Sequence, residues 1–228
     1  MAFDLKTFKT RSLTAIVFTA VMLAGLLLNV WVFLIVFLII HFGCWQEFLQ
    51  ILKSISPNNF KKYLLSGFVY ISLPILMFAD LRLTYLKGSG GDINMLKVIP
   101  CGIFFSIWIN DTMAYVVGSL IGKTPMSKIS PKKSWEGTVG GAILCIVVIC
   151  SIGYVTKLYT VSTWLTISGS AAVFGTLGDL LESKLKRMAG VKDSGSFMPG
   201  HGGFLDRFDS FLITTPIVWL FVQIFMKG

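Results

Sequence analysis

From Leu13 to Ile40 the chain carries no charged residue and a single Asn, Asn29. One helix from Leu13 to Leu52 would be about 60 Å long at a rise of 1.5 Å per residue, twice the hydrocarbon core of a bilayer. The pattern therefore predicts a break near Leu28-Asn29-Val30 and a hairpin of two spans, 13–28 and 31–52. Further apolar runs follow at 64–79, 97–121, 138–156, 160–182 and 208–226. The fold class this implies is all-α, a polytopic integral membrane bundle of about seven transmembrane helices. No internal repeat or linker separates parts of it, so 1–228 reads as a single membrane domain. Within it, 1–63 forms an N-terminal hairpin and connection, and 64–96 a third span with an outer loop. Residues 97–228 are helices joined by polar loops at 122–137 and 183–207. The Gly- and Ser-containing stretch Leu86 to Asn94 reads as a flexible outer turn.

Composition supports the spans. Of 228 residues, 54% are hydrophobic and 14% charged, whereas soluble domains carry about a quarter charged residues. Lys and Arg then set the orientation. Segments 1–12, 53–63, 122–137 and 183–207 hold 15 of the 20, and the remaining five are Arg82, Lys87, Lys97, Lys157 and Lys227. The positive-inside rule puts the N-terminus and the four rich segments in the cytoplasm. The basic N-terminus followed by apolar sequence resembles a signal peptide, but the run extends too far, so it reads as the first span. Cys44, Cys101, Cys145 and Cys150 lie in apolar runs without metal-ligand spacing and read as small buried hydrophobes.

Against this background the acids stand out. Seven of eleven follow residue 110: Asp111, Glu136, Asp179, Glu182, Asp193, Asp206 and Asp209. Each falls in a cytoplasmic segment or toward the cytoplasmic end of a span, which predicts an active site on that face. Asp111 sits in an otherwise apolar helix, where a carboxylate at the bilayer centre costs about 2.5–3.5 kcal/mol. Such an acid faces a polar cavity or a structural Lys partner. Asp179 with Glu182, and Asp206 with Asp209, are i, i+3 pairs on single helix faces. Packed together, they repel unless cations hold them, and hard oxygen donors without His or Cys favour Mg2+. The competing reading is an ion-pair rim with Lys184, Lys186, Arg187 and Arg207. Glu47, near the inner end of the second span, is open to either a site role or helix pairing.

A second polar block, Gly122 to Gly141, brings Lys123, Lys128, Lys132 and Lys133, hydroxyls at Ser127, Ser130 and Ser134, and Glu136 before a Gly-rich helix start. Ammonium groups and helix N-terminal N–H groups suit phosphate oxygens. Ordinary positive-inside charge is the plainer alternative, and the block is not a Walker A loop. Metal-binding acids beside phosphate binders point to phosphoryl or nucleotidyl transfer. Gly140, Gly141 and Ala142 suit helix packing within one chain or in a homodimer.

The residues from Ser183 to Asp209, SKLKRMAGVKDSGSFMPGHGGFLDRFD, closely resemble the signature of the phosphatidate cytidylyltransferase (CDP-diacylglycerol synthase) family. The likeness extends to Gly178-Asp179-Leu180, to SPKKSWEG, to Asn110-Asp111-Thr112 with Ala114-Tyr115, and weakly to Trp45-Gln46-Glu47. It departs at Met198, where Leu, Ile or Phe is usual, and in the short connection after the first hairpin, where family members often carry further helices. The resemblance implies a Mg2+-dependent enzyme, with one or two metal ions, that turns CTP and phosphatidate into CDP-diacylglycerol and pyrophosphate. Its partners would be CTP, phosphatidic acid and membrane lipids, with no nucleic acid, in a bacterial inner membrane.

Carried onto this chain, the resemblance implies metal ligands among Asp179, Asp206, Asp209, Glu182 and Asp111. Catalytic roles would fall to Asp179, Asp206, Lys192, Arg207 and His201, the His bracing the loop or touching phosphate. Substrate contacts would come from Asn110, Ser130, Lys132, Lys133, Ser134, Glu136, Gly202 and Gly203. The rival readings are a CTP-dependent polyprenol or phytol kinase and, from another class, an ion-coupled transporter. Clustering of the acids on one face and the lack of an inverted repeat weigh against transport. The helix motif of CDP-alcohol phosphotransferases is missing.

Overall fold

The computed structural model of the chain describes residues 5–84, 95–198, 200 and 202–226. Among these the protein is helical, without strands, and carries two isolated bridges, Pro125 with Ser134 and Met198 with Gly202. The helical stretches are α1 (Leu5–Leu27), α2 (Val30–Ile55), α3 (Phe60–Leu83), α4 (Met95–Ile121), α5 (Trp135–Thr156), α6 (Val161–Met188) and α7 (Leu205–Phe225). Helices α2 to α7 are long and apolar enough to cross a membrane, giving six, while the apolar part of α1, Ser12–Leu27, is shorter. Large apolar side chains such as Leu65, Tyr115, Leu120 and Val155 point outward. A soluble protein would bury them; a bilayer solvates them, so this is a multi-pass integral membrane protein. The Leu86 to Asn94 turn lies outside the described residues.

Two compact units emerge, and neither is continuous in sequence. The first is Met1–Ile75 with Leu185–Phe208, and the second is Leu76–Lys184 with Asp209–Gly228.

In the first unit, the expected break at Asn29 is a helix cap. Its side-chain oxygen accepts from the Val32 N–H at 3.0 Å, starting α2 after a β-region residue. Gly25 lets α1 approach α2, since a Cβ there would stand 3.2 Å from Val36. The buried stripe of α2, from Phe33 through Cys44 and Glu47 to Ile51, recurs at helical spacing. Helix α3 meets it through Gly67, under Trp45 and Phe48, and through Tyr70, whose ring centroid is 5.9 Å from that of Phe48. A π-helical turn, Phe68–Ser72, brings Ser72 Oγ to 2.9 Å from His41 Nε2 and 2.8 Å from Trp45 Nε1.

In the second unit, α4 and α5 touch almost backbone to backbone. A Cβ on Gly141 would stand 2.7 Å from Ala114, and one on Gly137 would stand 2.8 Å from Gly118. Gly140 packs on Val117 in the same seam. These glycines serve contacts inside the chain, so the homodimer expectation draws no support from them. Trp164 of α6 fills the space over Gly102 of α4 and Gly153 of α5. Phe78, Phe104 and Phe211 join α3, α4 and α7, with centroids 4.9 to 5.5 Å apart. Each such pair contributes about 0.5–1.5 kcal/mol beyond its buried area.

Helix α3 runs past the expected end at residue 79, taking Asp80 and Arg82 into the helix. Asp80 is satisfied there: Trp219 Nε1 and Gln223 Nε2 donate to its Oδ2, each at 2.8 Å, and Thr84 Oγ1 donates to its Oδ1. A matched donor set is what permits an acid in a span.

Candidate active site

The loop between α6 and α7 is organised by two carboxylates of the first unit. Glu47, 6% exposed, rises from α2 and accepts from the N–H groups of Phe204 and Leu205 at 2.8 and 2.9 Å, and from Ser194 Oγ at 2.6 Å. The first N–H groups of a helix have no intrahelical acceptor and carry partial positive charge, so a buried carboxylate is well placed at the start of α7.

Asp206 lies one residue beyond. Its Oδ2 accepts from Gly203 N at 2.8 Å and Ser194 N at 2.9 Å, with Ser194 Oγ at 3.0 Å, while Lys186 Nζ stands 2.5 Å from its Oδ1. Gly202 has φ +81°, and a Cβ there would run into Asp206. A Cβ on Gly203 would run into Glu47. These glycines make room for protein carboxylates. Met198 N donates to Gly202 O, and Phe197 stacks on Phe204 at 4.1 Å, closing the loop on itself.

The second unit holds the other expected residues. Lys133 Nζ and Asp179 Oδ2 form an ion pair at 2.5 Å, each about a third exposed. Asp209 is buried, with Gly178 of α6 against its carbonyl and its Oδ1 accepting from Ser210 N. Asp179, Asp111 and the Lys133 ammonium all lie close enough to Asp209 for their charges to act on it. Asn110, 4% exposed, reaches Asp111 with its amide at 3.4 Å, and its own Oδ1 is buried with no hydrogen-bond partner. Glu182 is fully buried.

The basic block is pinned at its base. Met126 N donates to Lys133 O, and Trp135 N donates to Thr124 O. Glu136 turns back to accept from the N–H groups of Lys123 and Thr124 and from the Thr124 hydroxyl. Ser134 caps α5 by accepting from Gly137 N at 3.1 Å. Glu136 and Ser134, expected as substrate contacts, thus hold the loop in shape, and Ser130 lends it a carbonyl for Lys133 N. Lys132 is exposed. Lys192 and Arg207 are exposed on the first unit. His201 lies outside the described residues.

The structure therefore brings together Asp111, Asp179, Asp209, Lys133 and Asn110 in the second unit, and Asp206 with Lys186 in the first. The ion-pair reading is realised at Asp206 through Lys186, and at Asp179 through Lys133 rather than the cations of its own segment. Ser194, which reaches both carboxylates, has no sequence signal of its own, and for Glu47 the structure favours the role of a loop anchor. For Glu47 the sequence carries two signals, a lone acid inside an apolar run and the weak family likeness at Trp45-Gln46-Glu47.

The family profile described as the cytidylyltransferase family matches residues 94–225, more than half of the chain. The chain belongs to this family. Among relatives, phosphatidate cytidylyltransferase 4, chloroplastic, of Arabidopsis thaliana is 42% identical over 131 residues, covering 54% of this chain and 32% of its own. The phosphatidate cytidylyltransferase of Staphylococcus saprophyticus is 44% identical over 118 residues, covering 50% and 45%. That of Staphylococcus aureus strain COL is 33% identical over 198 residues, covering 78% and 71%. The chain thus spans less than half the length of several relatives and most of others. The cytidylyltransferase match takes in every polar residue of the second-unit group.

Proposed function

We propose that the protein is a phosphatidate cytidylyltransferase of a bacterial inner membrane, using CTP and phosphatidate to make CDP-diacylglycerol for phospholipid biosynthesis at the cytoplasmic face. The observation that carries this reading is the grouping of Asp111, Asp179 and Asp209 with Lys133 inside the family match.

The reaction suits these groups. A phosphate oxygen of phosphatidate attacks the α-phosphorus of CTP, the bond from that phosphorus to the β-bridging oxygen breaks, and its electron pair leaves with pyrophosphate. A phosphate monoester is already ionised, so no strong base is needed. Catalysis rests on positioning and on offsetting negative charge. Lys133, with Lys132 beside it, binds phosphate oxygens from the loop that Glu136 and Ser134 brace. Asn110 orients Asp111 through its amide and turns its unpartnered Oδ1 to a ligand donor. Asp206 and Glu47 are positioning residues for the loop at the start of α7.

Mg2+ is the cofactor this reading calls for. The donor chemistry fits, being carboxylate oxygen without thiol or imidazole. Among the described residues no three His, Cys, Asp or Glu side chains converge tightly enough to hold a metal ion. Asp179, whose partner in this structure is Lys133, would be the residue to hold it, with Asp111 and Asp209 adding negative charge from nearby. When bound, the ion supplies positive charge to the phosphates.

Incubation of the purified protein with phosphatidic acid, Mg2+ and CTP tests the reading. Label at the α-phosphorus should enter the lipid, and γ-label should leave as pyrophosphate. Transfer of γ-label to an alcohol would instead mark a lipid kinase, and a folded preparation that labels no lipid would overturn the proposal.

A further inference from the structure

The first unit contains a cleft that the polar chemistry leaves unused. It has a volume of about 480 Å3, within the range of small-molecule sites, and is lined by α1, α2 and the loop before α7. Val17 and Phe18 form one wall, Ile39 another, and Phe197, Met198 and Phe204 the third. Almost all of the lining is apolar.

An apolar surface on a membrane protein is ordinarily covered by bulk lipid, so apolarity alone identifies no ligand. The third wall makes this cleft different. Phe204 is tied by its N–H to Glu47, and Phe197 stacks on Phe204. Met198 is bridged to Gly202, beside Asp206. The wall is thus the apolar side of the same loop that carries exposed Lys192 and is followed by exposed Arg207. An apolar wall and exposed cations in one short segment are complementary to one class of molecule, an anionic phospholipid.

We propose that this cleft seats an acyl chain of the phosphatidate substrate, and that Val17, Ile39 and Phe197 set the chain length accepted. The inference rests on the reading of the protein as a phosphatidate cytidylyltransferase. Moving a chain from the bilayer into the cleft exchanges one hydrocarbon environment for another and yields no hydrophobic gain. The cleft therefore selects by shape, and the cations of the loop select by charge.

Two measurements on the full-length protein in nanodiscs decide the matter. In the first, phosphatidate carrying a diazirine midway along one acyl chain is photolysed, and the adducts are mapped by mass spectrometry. Adducts should fall on α1, α2 and residues 197–204. Unlabelled phosphatidate should suppress them at least five-fold better than phosphatidylcholine; equal suppression by both lipids means bulk lipid only and overturns the proposal.

In the second, Val17→Trp and Ile39→Trp narrow the cleft from positions that are already exposed. Each should lower the ratio of dioleoyl- to dioctanoyl-phosphatidate turnover about ten-fold. An unchanged ratio overturns the proposal. Turnover by the wild type without preferential crosslinking removes the cleft assignment alone, whereas absence of both turnover and crosslinking removes the functional reading with it.

Discussion

Glu47 and Asp179 are both carboxylates more than two turns inside long helices of a chain with few acids, yet the company they keep is opposite in kind. Glu47 is buried among donors from one loop, two backbone N–H groups and a hydroxyl. Asp179 is about a third exposed, holds a lysine ammonium and shares its surroundings with Asp209. An acid surrounded by fixed N–H donors is anchored and anchors them in turn, because releasing it would strand several polar groups. An acid held by a flexible cation among other acids can exchange that cation for another. The first arrangement is a brace and the second is suited to binding and chemistry.

Asp179→Asn is the strongest attempt to break this contrast. It keeps the shape and removes the charge, and turnover should fall about 10³-fold, the upper range for deleting one preorganised electrostatic contact. Incorporation of α-labelled CTP measures it, with the thermal midpoint as a control for folding. Near-normal turnover in a folded variant would remove Asp179 from the chemistry. Lys133→Gln should cost about 10²-fold on the same scale. The double variant sharpens the point. If Lys133 meets substrate phosphate, the two losses should come close to multiplying, whereas a lysine that merely neutralises Asp179 would leave the double variant no worse than Asp179→Asn.

Glu47→Gln should act through stability instead. Its amide has one oxygen to accept where the carboxylate had two, so one of the N–H groups of Phe204 and Leu205 faces an NH2. Loss of one charge-assisted bond and stranding of a buried donor should cost about 2–3 kcal/mol. The expected signs are a lower thermal midpoint and faster proteolysis between residues 192 and 204, with turnover lost in proportion. Unchanged stability and protease resistance with lost turnover would move Glu47 into the chemistry and erase the contrast.

Most of the helices were readable as apolar runs, because a bilayer leaves a spanning backbone little choice but to satisfy its own hydrogen bonds. Their ends were less so, and polar residues explain each difference. Helix α5 begins at Trp135 rather than 138 because Ser134 caps it. Helix α6 continues to Met188 through the charged stretch LLESKLKRM, which is amphipathic rather than apolar. Helix α3 extends through Asp80 because donors on α7, about 140 residues away, satisfy it. The candidate site divides in the same way. Lys133, Asp179 and Asp209 could be suspected from spacing and charge. The Glu47 brace could not, because its partners are 147 to 158 residues distant and the run around it looks like any span.

The smallest effect is expected where bracing is weakest. Ser72 Oγ meets both His41 Nε2 and Trp45 Nε1, and it is presented by the π-helical turn of α3. Hydrogen bonds between membrane helices average about 0.6 kcal/mol each, so Ser72→Ala should cost about 1 kcal/mol. That would appear as a slight fall in thermal midpoint with turnover unchanged. The small value follows from the alternatives open to the variant: His41 is only partly buried and can find other partners, unlike the donors around Glu47. A large loss of turnover at unchanged stability would mean that the hydroxyl, or the His41 ring it fixes, takes part in binding or chemistry. The polar contacts between α2 and α3 could then no longer be read as bracing alone.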